Sequence, residues 1–131
     1  MSYSQANMMQ YLDATDTDFG AGTGTAWSFK GPSGKQGNLK NIGIYVKETF
    51  DCDVTTGKVL VGTAANPDAY GLLEIVDGTL NTDTFNNVDD TNCVISQAIA
   101  ADAQVEVTFV QCADSVAPAG KGRAYVEVDW Y

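Results

Sequence analysis

Histidine is missing from this sequence altogether. Its absence removes the commonest general base near neutral pH and every nucleophile arrangement built on a Ser-His or Cys-His pair. Basic residues are scarce: seven Lys and Arg stand against seventeen Asp and Glu, for a formal net charge of −10 and a pI near 4.1. A field of that sign repels nucleic acid and anionic lipid, so the expected partners include neither nucleic acid nor membrane. Cys52, Cys93 and Cys112 lie far apart with no C-x-x-C pair, which offers neither a zinc site nor a disulfide framework. They read as free, mostly buried thiols of a reducing cytosol, with one bridge among the three left open. No apolar run approaches the 18 or so residues that span a bilayer, and no charged leader precedes an apolar stretch, so the chain reads as soluble and not exported by the usual route.

What the sequence does hold is enough apolar residues for one core: 44% of 131 residues are hydrophobic and 18% charged, an ordinary globular balance for a single domain. The first 25 residues, with Met8, Met9, Tyr11 and Leu12 followed by a run of Asp, Thr, Gly and Ala, carry neither a strand nor a helix period. They read as an extended N-terminal arm, 1–25, with one helical turn around Met8 to Leu12. From Ala26 the texture becomes short runs of Val, Ile, Phe, Tyr and Trp punctuated by Gly, Asn, Asp and Pro, an all-β signature for a domain over 26–131.

The clearest strand is "AYVEVDWY", where Ala124, Val126, Val128 and Trp130 share one face and Tyr125, Glu127, Asp129 and Tyr131 the other, because side chains alternate across a strand. "QVEVTFVQ" puts Val105, Val107 and Phe109 inward, and "IGIYVKETF" does so with Ile42, Ile44 and Val46. Weaker strands are "AWSFK" at 26–30, "KVLVGT" at 58–63, "YGLLEIV" at 70–76 and "CVISQ" at 93–97. Seven or eight strands with polar loops and no repeat or linker after residue 25 predict an antiparallel β-sandwich, in particular a jelly roll.

Motifs that could carry chemistry are weak. "GPSGKQG", Gly31 to Gly37, has only two residues between its first glycine and the Gly-Lys pair and no Ser or Thr after Lys35, so it is no phosphate loop. It reads as a tight turn. "DATDTDFG" spaces Asp13, Asp16 and Asp18 like part of a calcium loop but lacks the D-x-D-x-D-G order and the closing Glu. It reads as a polar segment with local side-chain to backbone bonds. "GAGTG" at 20–24 neither follows a strand nor opens a helix, which argues against a dinucleotide site. Asp89 and Asp90 are adjacent, whereas glycoside hydrolysis needs two carboxyls facing each other across a bond. Trp27, Tyr45, Tyr70, Tyr125 and Tyr131 could form a sugar-stacking platform or ordinary cross-strand and subunit contacts. No cofactor or metal is expected.

Charge is unevenly spread: residues 1–25 sum to −3, residues 26–50 to +3 and residues 51–131 to −10. A basic segment holding Lys30, Lys35 and Lys40 on an acidic body suggests self-association or an acidic partner. The pieces "VGTAANPDAY" (61–70), "IAADAQVEVTFV" (99–110) and "PAGKGRAYVEVDWY" (118–131) give the chain, over residues 40–131, the look of tailed-bacteriophage head decoration (cement) proteins of jelly-roll type. It departs from them at "QCADSV", where such proteins tend to carry a Gly- and Thr-rich loop. The resemblance implies a non-enzymatic virion protein, made in the host cytoplasm, that binds the outer surface of the capsid and steadies contacts between capsomers. Its partners would be the major capsid protein and itself, as a dimer or trimer. The expected contact residues are Tyr3, Met8, Met9, Tyr11 and Leu12 of the arm and the patch of Lys30, Lys35 and Lys40. The alternative is a carbohydrate-binding β-sandwich that adheres to host glycans, and a third class is a small hydrolase using Asp and Glu alone.

Overall fold

A computed structural model describes residues 8–22, 24–80, 84–86, 94–95 and 98–131. The strands are β1 (Met8–Leu12), β2 (Thr17–Asp18), β3 (Trp27–Phe29), β4 (Gly37–Asp51), β5 (Gly57–Gly62), β6 (Gly71–Ile75), β7 (Thr84–Asn86), β8 (Val94–Ile95), β9 (Ala98–Ile99), β10 (Val105–Val110) and β11 (Ala119–Trp130). Among the described residues there is no helix.

Two sheets form. The larger runs β1-β11-β4-β7, with β2 alongside β11 and β9 alongside β4; the smaller runs β3-β10-β5-β6-β8. The antiparallel pairs are nested. β5 meets β6, β4 meets β7, β3 meets β10 and β1 meets β11, as if one long hairpin had been folded over on itself. The pairs β4–β11 and β5–β10 then join the layers into two sheets. This is the jelly-roll arrangement of an antiparallel β-sandwich.

Each sheet turns one face to the other. Ile42, Ile44, Val46, Ala124, Val126, Val128 and Trp130 from the larger sheet meet Val59, Val61, Leu73, Ile75, Val105, Val107 and Phe109 from the smaller, all buried. Alternation along β10 and β11 is what the sequence predicts. In β4 it is broken by a bulge: Glu127 lies opposite Asn41 and Val128 opposite Leu39, leaving Lys40 as the extra residue. The bulge lets Leu39 and Ile42, three apart, both point inward and turns Lys40 out to solvent.

The segment read as an arm is corrected here from residue 8 onward. Met8–Leu12 is a strand paired residue by residue with Asp129 to Tyr125, not a helical turn. Thr17 and Asp18 pair with Gly122 and Lys121. Phe19 is fully buried, its ring 5.3 Å from that of Phe50 and 5.7 Å from that of Phe109. The segment is thus a wall of the sandwich, because its backbone donors and acceptors are satisfied by β11, more than a hundred residues away in sequence. A truncation of residues 1–25 would remove part of the core.

Candidate functional site

The ends of the sandwich differ. At one end lie the loops 30–36, 63–70 and 100–104, with Tyr131; at the other lie the loops 51–56, 76–80 and 111–118. Lys30 and Lys35 belong to the first end, and Lys40 sits just inside it on β4. Here "GPSGKQG" is a turn, as its sequence predicts: Lys35 N–H donates to the Pro32 carbonyl at 3.1 Å, with Gly34 at φ 75°. Glycine tolerates that left-handed conformation without a Cβ penalty. Asp102 anchors the loop by accepting from the Gly34 N–H at 2.9 Å, and Gln36 and Tyr131 exchange backbone bonds of 3.0 and 2.8 Å. Beneath it lies Trp130, 2% exposed. A Cβ on Gly31 would fall 2.5 Å from the indole and one on Gly37 2.6 Å from it, so both glycines are needed for backbone to close over the ring. The three lysines are exposed.

The start of β1 reaches the same end. Met8 lies opposite Asp129 and Gly37 opposite Trp130, on the two sides of β11. Met8 and Lys40, which the sequence names in separate groups, therefore lie on the two strands that flank β11, with Lys30 and Lys35 in the loop that enters β4. Within β1 the alternation splits their roles. Met8, Gln10 and Leu12 face outward from the larger sheet, where the Gln10 amide donates to the Tyr45 hydroxyl at 3.2 Å. Met8, Met9 and Leu12 are 41%, 42% and 46% exposed.

Tyr11 is different. Its ring stacks on Phe29 at 3.9 Å, and its hydroxyl accepts from the Trp130 indole N–H at 3.0 Å and donates to the Met9 sulfur at 3.5 Å. Burial pushes the Tyr11 phenol pKa up, with the Trp130 hydrogen bond pulling the other way. Half-buried Tyr11 thus clasps the two sheets at their margin. Tyr3 lies outside the described residues.

At the opposite end the sequence missed a staple. Cys52 and Cys112 form a disulfide, with Cα atoms 5.6 Å apart, the one bridge that the sequence left open beside the default of free thiols. Nothing in a separation of 60 residues announces the pair; the end of β4 and the start of the 111–118 loop become neighbours only when the sheets pair. Cys93 lies outside the described residues. Around the bridge, Asp114 accepts from the N–H groups of Asp53, Val116 and Ala117 at 3.1, 3.0 and 3.1 Å. Asp53 accepts from the N–H and hydroxyl of Ser115 at 2.8 and 2.7 Å, and Asp77 from the Cys52 N–H at 2.8 Å. The backbone bonds hold the Asp114 carboxyl at a pKa of about 2. Asp51 is pushed the other way, its pKa raised chiefly by the charge of Asp114 and further by Asp77 and Asp53.

The other candidate chemistries fare as follows. Asp13 and Asp18 accept from the N–H groups of Thr15 and Gly20, both at 3.1 Å, and Asp16 pairs with Arg123. Asp13 and Asp18 thus make the local bonds expected of the segment, Asp16 reaches across to β11, and the second Asp13 oxygen is buried without a hydrogen-bond partner. Among the described residues no cluster of His, Cys, Asp or Glu is placed to hold a metal ion. The five aromatics are divided. Tyr45 and Tyr125 stack on each other at 4.8 Å on the outer face of the larger sheet, Tyr70 is in the core, Trp27 packs by Phe29, and Tyr131 stands exposed at the lysine end. Asp89 and Asp90 lie outside the described residues. Comparison of the chain with family models, with curated proteins and with solved structures finds no match.

Proposed function

We propose that this chain is a capsid decoration protein, a cement that binds the outside of a tailed-phage head and holds neighbouring capsomers together. The observation that carries this reading is that exposed Met8 opens β1 at the end of the jelly roll that bears exposed Lys30, Lys35 and Lys40, with exposed Leu12 further along the same outward face of β1. Apolar anchors ringed by charge suit a protein contact: the apolar groups gain by leaving water, while the cations select an acidic counterpart. That counterpart is the major capsid protein or a neighbouring copy. No catalytic step is assigned. Each copy makes a modest contact, and repetition over a lattice raises the effective concentration so that weak contacts become hard to reverse.

Co-sedimentation with expanded shells, prepared from virions of the genome that encodes this chain and stripped of it, tests the reading. The wild-type chain should pellet with the shells. The variant Met8→Asp/Leu12→Asp should stay in the supernatant while keeping its fold, since both side chains point to solvent. Wild-type protein that does not pellet, or a variant that pellets equally well, contradicts the proposal.

A further inference from the structure

The tip opposite the lysines has a build that shell binding does not use. Val116 is 91% exposed, Val54 66%, Leu80 55% and Val76 42%. Scattered exposed valines are common, but these stand on three loops tied to one another. The disulfide joins Cys52 to Cys112; Val54 and Thr55 donate to the Ala113 carbonyl at 3.0 and 3.1 Å, and Gly78 donates to the Phe50 carbonyl at 2.8 Å. Asp114 holds the backbone of Val116 and Ala117 directly. Loops whose backbone is held in this way have little further ordering to lose on docking. The three loops, "DCDVTT", "VDGTL" and "QCADSVAP", carry Asp51, Asp53, Asp77 and Asp114 and no Lys or Arg.

We infer that this tip is a docking surface for the lysine-bearing end of a second copy of the same chain, so that copies associate head to tail. The complement is on the same molecule. Lys35 is next to Gln36, which is backbone-paired to the 53%-exposed Tyr131, so the far end offers an apolar ring beside cations just as the tip offers valines beside carboxylates. That end also carries Asp68 and Asp102, but Asp102 is turned onto its own loop at Gly34. The mutual repulsion that raises the Asp51 pKa is relieved when a cation arrives. Two different patches meeting make a heterologous contact, which propagates unless its rotation closes a ring. With a few side chains on each side it belongs to the weak, salt-sensitive class.

The inference deepens the decoration reading by naming the neighbouring copy as the partner of the lysines, and it is tested without any shell, so the two can fail separately. Sedimentation velocity of the full chain at rising concentration should show association at low salt that fades at high salt. Two variants each keep one good end: Val54→Lys/Val116→Lys spoils the tip, and Lys30→Glu/Lys35→Glu/Lys40→Glu spoils the far end. Each alone should stay monomeric, and an equimolar mixture should form a dimer and nothing larger, because only one productive contact remains. Val116→Lys alone, at the most exposed of the four apolar side chains, serves if the double variant does not fold. Wild-type chain that stays monomeric at every concentration, a tip variant that associates like wild type, or a mixture that stays monomeric or grows past the dimer overturns the inference.

Discussion

The two ends of this sandwich are closed by opposite means. The lysine end is closed by an apolar ring, with Trp130 buried under the backbone of Gly31 and Gly37 and tied to Tyr11. The tip is closed by a covalent bridge and by carboxylates bonded to backbone N–H groups. The first kind of closure responds to volume and hydrophobic burial, while the second responds to redox state and pH. The difference supplies three ways to pull the ends apart.

The largest effect should come from the apolar closure. Trp130→Ala removes a fully packed indole and the donor to the Tyr11 hydroxyl, so it should cost about 3–5 kcal/mol, read as a drop in urea midpoint. Phe19→Ala, in the core at the tip end where the Phe19 carbonyl accepts from the Cys112 N–H, should cost a similar amount, about 3–5 kcal/mol, which separates a wall segment from a dispensable arm. Loss of under about 1 kcal/mol in either would mean the ring is not packed as described.

Next comes the staple. Cys52→Ala/Cys112→Ala, or reduction, opens a loop of 60 residues and should lower stability by about 2–4 kcal/mol. The lysine end should keep its hydrogen-exchange protection near Trp130 under native conditions while that of the 111–118 loop falls. Equal loss at both ends would show that the closures are not independent.

The smallest effect is electrostatic and has opposite signs within one tip. The folded-state pKa of Asp114, about 2, lies below its ordinary value. Its contribution is therefore present above an unfolded pKa of about 3.9 and lost as pH falls toward 2. Asp51 has a raised folded-state pKa, so ionising it disfavours the fold as pH rises past its ordinary value. Urea midpoints of Asp114→Asn should lose part of the acid-side slope and fall at pH 7, while Asp51→Asn should rise slightly at pH 7 and converge with wild type in acid. Both Asp side chains are at the surface, so added salt should shrink the Asp51 effect. Two variants moving in the same direction at pH 7 would contradict the bonding described for the tip.

How legible was all this in the sequence? Strands whose two faces see different surroundings were plain: β10 and the second half of β11 alternate because one face is core and the other solvent. The first halves of β4 and β11 were not, for a physical reason. The bulge at Lys40 shifts the phase of the pattern, and register shifts between Ala119 and Gly122 do the same, so the alternation can be read only from Asn41 and Ala124 onward. β1 was illegible because four of its five side chains are exposed; an edge strand that buries so little leaves no period, and its partner is the far end of the chain. The lysines could be named from charge alone, but their meeting with Met8 depends on β1 and β4 flanking β11. The disulfide was hidden by an odd cysteine count and a long separation. Local pattern thus reported burial, and whatever depended on nested long-range pairing stayed silent.

The most direct measurement is electron cryomicroscopy of virions from the genome encoding this chain, compared with virions from which its gene has been deleted. The account predicts knobs of jelly-roll density on the outer shell of the former, seated through the β1 edge, and a bare shell on the latter. Identical exteriors in the two maps would contradict it.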